Sequence, residues 1–167
     1  LIAKDAYTCG RLSQQIRERR IIKKYLALVE GIPAENHGII NAPIRREAED
    51  SVKRVVAKDG KDAITEYSVT EKRDGCSLLE VTLHTGRTHQ IRVHMAYTGH
   101  ALLGDEVYAT SKTVFEKHHP QLFDGQALHA KRLTLTHPRT RERMSFECEL
   151  PDNFKKIIRI LREEADR

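Results

Sequence analysis

The chain has 167 residues, 39% of them hydrophobic and 32% charged, which suits one globular domain with a sizeable core and leaves too little for two. No apolar run approaches the roughly 18 residues that span a bilayer, and Leu1-Ile2-Ala3-Lys4-Asp5 lacks the order of a secretory signal, so the expectation is a cytoplasmic chain without a membrane partner. The formal charge of +5 and a pI near 9.2 favour a polyanionic partner, while Cys9, Cys76 and Cys148, odd in number and outside any CxxC spacing, argue against a disulfide framework or a zinc site.

Taken in chain order, residues 5–20 are predicted as a helix, with Cys9, Leu12 and Ile16 at spacings of three and four and basic residues in the last turn. The run 24–30 alternates and closes at Gly31 and Pro33, a buried strand with Tyr25 near its start. A short strand is expected over 38–44, then a charged surface loop over 45–53 and a turn at Asp59-Gly60. Residues 63–70 and 77–84 read as a hairpin joined by Lys72-Arg73-Asp74-Gly75. A helix is predicted over 89–97 with Gly99 as its stop, followed by a turn at 104–108 and a stretch from 110 to 127 without a clear period. Strands are expected over 131–135 and 144–150, flanking a turn at His137-Pro138-Arg139. Last comes a helix capped by Asp152, with Phe154, Ile157, Ile158 and Leu161 on one face and Lys155, Lys156, Arg159 and Arg162 turned away. The pattern is α+β, a mixed and mainly antiparallel sheet with few helices.

Chemistry concentrates between Leu83 and His94, where a glycine turn, two arginines and three histidines fall at a strand-to-helix junction. Thr85-Gly86 is the expected turn, glycine being free to take angles that a Cβ forbids. Arg87 then emerges at a helix N-terminus, a place suited to a phosphate or a carboxylate. Metal binding is not expected. His89 and His94, five residues apart, stand about 140° apart on a 3.6-residue helix, and no acidic cluster or HExxH accompanies them. No GxSxG elbow, P-loop or dinucleotide fingerprint occurs. Three basic clusters, 17–24, 87–92 and 131–143, would make an RNA track if they shared one face.

Four blocks together resemble the RluA-type pseudouridine synthases: Lys23-Lys24-Tyr25-Leu26-Ala27-Leu28-Val29-Glu30-Gly31, Gly86-Arg87-Thr88-His89-Gln90-Ile91-Arg92-Val93-His94, Gly99-His100-Ala101-Leu102-Leu103-Gly104-Asp105 with Tyr108, and Leu128-His129-Ala130 through Thr136-His137-Pro138. The resemblance implies the pseudouridine synthase catalytic fold and isomerisation of a uridine in structured RNA (ribosomal or transfer RNA) to its C-glycoside, with neither cofactor nor metal. It also implies that Tyr25 contacts the uracil, that Arg87 pairs with a catalytic aspartate, and that Leu133 lines the base pocket. His89, Gln90, Arg92, Lys131 and Arg132 are then expected RNA contacts.

One feature of that family has no counterpart here. Its aspartate lies in an Arg-Leu-Asp segment followed by Thr-Ser-Gly, which these residues do not contain, and neither Asp5 nor Asp105 has those neighbours. Residues 1–167 are therefore expected to be a single, N-terminally incomplete catalytic domain, able to bind RNA but inactive alone, with a sheet edge open to self-association. Two other classes compete: a non-catalytic RNA-binding module, and an unrelated basic α+β domain serving protein contacts.

Overall fold

Alternation along Ile22–Glu30 organises the molecule, which is described here by a computed structural model covering residues 1–73 and 75–165. In chain order the elements are α1 (Ala6–Arg17), β1 (Ile22–Glu30), β2 (His37–Asn41), β3 (Ile44–Arg46), β4 (Arg54–Val56), β5 (Ile64–Arg73), β6 (Cys76–Leu83), α2 (Gln90–Tyr97), α3 (Val114–His118), β7 (Leu128–Thr136), β8 (Arg143–Glu147) and α4 (Asp152–Ala165). Six strands form one sheet in the order β2-β5-β6-β1-β7-β8, with every pairing antiparallel, and β3 pairs with β4 in a separate hairpin. The α+β expectation with a mainly antiparallel sheet holds.

β1 lies inside the sheet and serves both faces, as period-two side chains must. Ala27 and Val29 join Leu79, Val81 and Leu83 of β6 beneath Ile91 and Met95 of α2. Leu26 and Leu28 join Leu78 beneath Phe154, Ile157, Ile158 and Leu161 of α4. Each fully buried apolar side chain contributes about 1.5–3 kcal/mol, so the stripe on α4 holds that helix to the sheet. Asp152 is its first helical residue rather than its cap, since the Lys155 amide already donates to the Pro151 carbonyl.

Where β1 meets β7 the register shifts between Lys24 and Tyr25. Lys24 pairs with Arg132 but Tyr25 pairs with Ala130, so Lys131 is an extra residue on β7. Other elements depart from the sequence reading for physical reasons. The strand expected over 38–44 is broken, because Pro43 has no N–H to give a ladder: β2 stops at Asn41 and β3 starts at Ile44. Arg45 and Arg46, expected in a loop, belong to β3 and pair with Val55 and Arg54. The 64–83 hairpin forms with a first strand longer than expected, reaching Arg73, and a second shifted by one residue; Asp74 lies outside the described residues. On α1 the buried pair is Leu12 and Gln15, whereas Cys9 and Ile16 are exposed. Gln15 earns burial by closing the end of β7: its Nε2 donates to the Thr136 carbonyl at 2.7 Å and its Oε1 accepts from the Thr136 amide at 2.9 Å. Within 110–127 the chain makes α3, started by a reciprocal Thr113–Glu116 capping box.

Replacing Ile157 by Ala should lower the unfolding free energy by about 2–5 kcal/mol, as for other buried aliphatic truncations, given its 3% exposure. Urea unfolding checks this, and a loss below 1 kcal/mol would show that α4 is dispensable to the core.

Candidate active site

A buried amide builds the junction between β6 and α2. Gln90, 2% exposed, receives through Oε1 the Thr85 hydroxyl at 2.8 Å and the Arg87 amide at 2.9 Å. Its Nε2 donates to the Ile64 carbonyl and to Thr65 Oγ1, both at 3.0 Å. The Ile64 amide donates to Thr85 Oγ1 at 2.8 Å, closing a ring between β5 and the turn. One step further, Thr65 Oγ1 lies 2.8 Å from Nδ1 of the fully buried His94, whose Nε2 lies 2.8 Å from the Ala42 carbonyl. Since a carbonyl only accepts, Nε2 carries the proton, and the Thr65 hydroxyl donates to a bare Nδ1. Burial pushes the His94 pKa down, in keeping with this neutral form.

Gly86 does not have a positive φ; that conformation falls on His89, at 57°. A Cβ at 86 would stand 3.0 Å from Nζ of Lys23, so a larger residue there would push on the tip of that side chain. Lys23 and Tyr25 share one face of β1, and both line a cavity of about 550 Å³ with Thr85, Gly86, Ala130 and Leu133. Ile16 and Phe146 add an apolar wall. The volume lies within the range of small-molecule sites. Tyr25 is half-buried, its phenol held protonated by burial, and its hydroxyl makes no hydrogen bond among the described residues. Lys23 is also half-buried; burial lowers its pKa, and its one hydrogen bond goes to the Thr85 carbonyl at 3.3 Å. Among the described residues no carboxylate pairs with it.

Arg87 lies on the far side of Gly86. Its Nε donates to the Asp62 carbonyl at 2.8 Å, and it lines a second groove, with Gly86 as a common border between groove and cavity. Tyr25 and Arg87 are therefore neighbours across one glycine and not two walls of one hollow. Leu133 lines the Tyr25 cavity, as do Lys131 and Arg132, but Lys131 also reaches Glu80 at 3.3 Å and Arg132 pairs with Glu147.

Three expected RNA contacts have internal duties. Gln90 is the brace just described. Arg92 makes a two-point pair with the buried Asp105, 2.7 Å at each contact, and lies over the Tyr108 ring. Burial pushes the Asp105 pKa up, but the Arg92 fork and the Tyr108 and Val107 amides outweigh it and leave the pKa lowered. Nδ1 of His89 meets the Tyr108 hydroxyl at 2.9 Å, and that hydroxyl accepts from the Arg54 amide. The three basic clusters are split: Arg19, Lys23, Lys131 and Arg132 line the cavity, Arg87 lines the neighbouring groove, Arg92 is taken by Asp105, and Lys24 turns to Glu80. In the sequence Lys23 is one member of a basic cluster and not an expected site residue, although its spacing of two from Tyr25 puts it on the same face of β1. Among the described residues no group of three or more His, Cys, Asp or Glu could hold a metal ion, and no helix is long and apolar enough to cross a membrane.

The family model described as RNA pseudouridylate synthase matches residues 1–97. An uncharacterized RNA pseudouridine synthase of Bacillus subtilis (strain 168) is 40% identical over 165 residues, 99% of this chain and 52% of the relative. Ribosomal large subunit pseudouridine synthase D of Blochmanniella floridana is 39% identical over 170 residues, 97% of this chain and 53% of the relative. The chain thus spans about half the length of the curated relatives it matches. Among solved structures, Human RNA Pseudouridylate Synthase Domain Containing 4 superposes with a TM-score of 0.77 over 95% of this chain and 69% of that one; at 24% identity the likeness shows the fold alone.

Replacing Gln90 by Leu should cost about 2–4 kcal/mol of unfolding free energy, since each orphaned buried polar group costs about 1–3 kcal/mol. Exchange of the Arg87 amide proton should quicken, and unchanged exchange would mean that something else holds the turn. His94 sets a pH dependence: with its folded pKa below 6.5, the unfolded chain binds the extra proton first, so stability is complete above that value and falls as pH drops below it. Denaturant midpoints between pH 8 and 5 should show this decline, with a shallower slope in His94→Gln.

Proposed function

The chain belongs to the RNA pseudouridylate synthase family, and from that premise we propose that it carries the base-binding half of an RNA uridine isomerase. A uracil turned out of its stack enters the cavity at Tyr25, where ring stacking contributes about 1–3 kcal/mol, comparable to the cost of extruding a base. The N1–C1′ bond breaks, the uracil rotates, a C5–C1′ bond forms, and the proton leaving C5 is balanced by one gained at N1. Tyr25, protonated and without a protein partner for its hydroxyl among the described residues, is suited to stack on the ring and to relay protons, giving up its own as N1 gains one and taking in its place the one that leaves C5. Leu133 packs against the base.

Arg87 has Nη1 and Nη2 free of hydrogen bonds among the described residues, and its planar fork suits a carboxylate beside the cavity. The Arg-Leu-Asp carboxylate is not among the 167 residues, so turnover requires one supplied from outside them. Lys131 and Arg132 stand at the cavity wall, where they meet backbone phosphates without reading sequence. His89, Gln90 and Arg92 act by shaping the Arg87 turn. The substrate is structured RNA in the cytoplasm, and ribosomal large-subunit RNA is the first candidate because relatives bear that name.

The observation carrying this reading is the half-buried Tyr25 in a roomy cavity, on a strand within the residues matched by the family model. Release of tritium from C5 of uridine in RNA tests it. The 167 residues alone should release none, and a longer polypeptide including the aspartate segment should turn over. In that polypeptide Tyr25→Phe should slow release by about 10²-fold or more, the scale of lost proton-transfer assistance. Full activity in Tyr25→Phe would leave the phenol without a chemical role.

A further inference from the structure

We propose that the groove between the β3–β4 hairpin and the turn at Gly86–Thr88 carries the phosphodiester backbone flanking the uridine that enters the Tyr25 cavity. The inference rests on the isomerase reading and adds to it a binding surface outside the base pocket. The groove has a volume of about 490 Å³ and gathers Arg45, Arg46, Arg54, Lys61 and Arg87 against the single carboxylate of Asp59. Glu47, Glu49 and Asp50 sit on the connection between β3 and β4 and are not part of the lining.

What separates this groove from an ordinary solvated basic surface is how its guanidiniums are held. Arg46 Nη1 donates to the Glu49 carbonyl at 2.7 Å. Arg54 Nη1 lies 3.2 Å from the Ser51 and Val52 carbonyls and 3.3 Å from that of Lys53. Arg87 Nε uses the Asp62 carbonyl, and Arg45 Nη1 uses those of Arg46 and Glu47 at 2.6 and 3.0 Å. A carbonyl orients a guanidinium without neutralising it, so the cations stay charged while part of their ordering cost is met in advance. Only Arg45 also has an acid, Asp59 at 3.0 Å, and both partners are exposed. Four cations nearer the cavity and α2 are compensated: Lys24 and Lys131 by Glu80, Arg132 by Glu147, Arg92 by Asp105. The groove thus concentrates five cations against one acid, and it shares Gly86 with the base cavity. A nucleotide whose base sits at Tyr25 would bring its neighbouring phosphates to that border.

The test is binding of a labelled stem-loop RNA with uridines in its loop, measured over a potassium chloride series. Each phosphate contact removed should reduce the steepness of log K against log salt by about 0.7–0.9, so Arg45→Gln/Arg46→Gln/Lys61→Gln should lose about 2. Lys61→Gln alone, whose side chain makes no bond among the described residues, should lose about 0.7–0.9 without any burden on folding. Arg45→Lys/Arg46→Lys should keep the wild-type slope, as should Lys155→Gln/Lys156→Gln on the outward face of α4. A wild-type slope in the triple variant overturns the groove and leaves the isomerase reading standing. No salt-dependent RNA binding by the wild-type chain overturns both. Displacement of the RNA by equimolar uridine monophosphate would assign the groove to a free nucleotide and overturn the backbone role.

Discussion

The side-chain amide of Gln90 is the constraint on which the rest of the site depends. An amide offers two donors and two acceptor lone pairs, and burying it with those groups unmet would cost several kcal/mol. Here all are met, by Thr85, Arg87, Ile64 and Thr65, which lie on two separate stretches of chain, with Gln90 itself on α2. The end of β6, the neighbouring β5 and the first turn of α2 are therefore fixed relative to one another. His94 and Ala42 extend the same chain of bonds to the residue before Pro43. A network satisfied at every member defines one geometry more sharply than apolar packing does. That geometry decides where Gly86 lies, and hence how Lys23 and Arg87 stand on either side of it.

Two kinds of cation follow from this arrangement. Some are spent on the fold: Arg92 makes a two-point pair with Asp105, whose carboxylate also takes two backbone amides and holds the 105–108 turn against α2. Others are left with charge to give. Lys23 lies against a backbone carbonyl, and the arginines of the β3–β4 hairpin lean on carbonyls as well. A moderately basic composition says nothing about which cations are which, because the answer depends on what each nitrogen meets after folding.

Residue by residue, this explains what could be read in advance. The alternation of 24–30 and the 3.6-residue stripe of Phe154, Ile157, Ile158 and Leu161 are local signals whose period matches their burial, and both elements form where expected. The role of Gln90 is not local, since its partners Ile64 and Thr65 lie about 25 residues away. Arg92 looks like one more member of a basic cluster until Asp105, 13 residues on, comes to meet it. Ile16 sits at core spacing on α1, yet Gln15 is buried instead because the exposed end of β7 needs a donor and an acceptor. Thr113-x-x-Glu116 is a legible helix start that sequence reading passed over for want of an apolar period after it.

The single extra residue at Lys131 has an effect on the cavity out of proportion to its size. Ala130 and Leu133 are three positions apart, an odd step that in an uninterrupted strand would send their side chains to opposite sides. Because the ladder slips by one at this point, Ala130 stands opposite Tyr25 and Leu133 opposite Lys23, and both look into the same hollow. Were the slip closed with the residues unchanged, Lys131 would stand opposite Lys24 and Arg132 opposite Lys23: Leu133 would turn away from the cavity and a guanidinium would take its place.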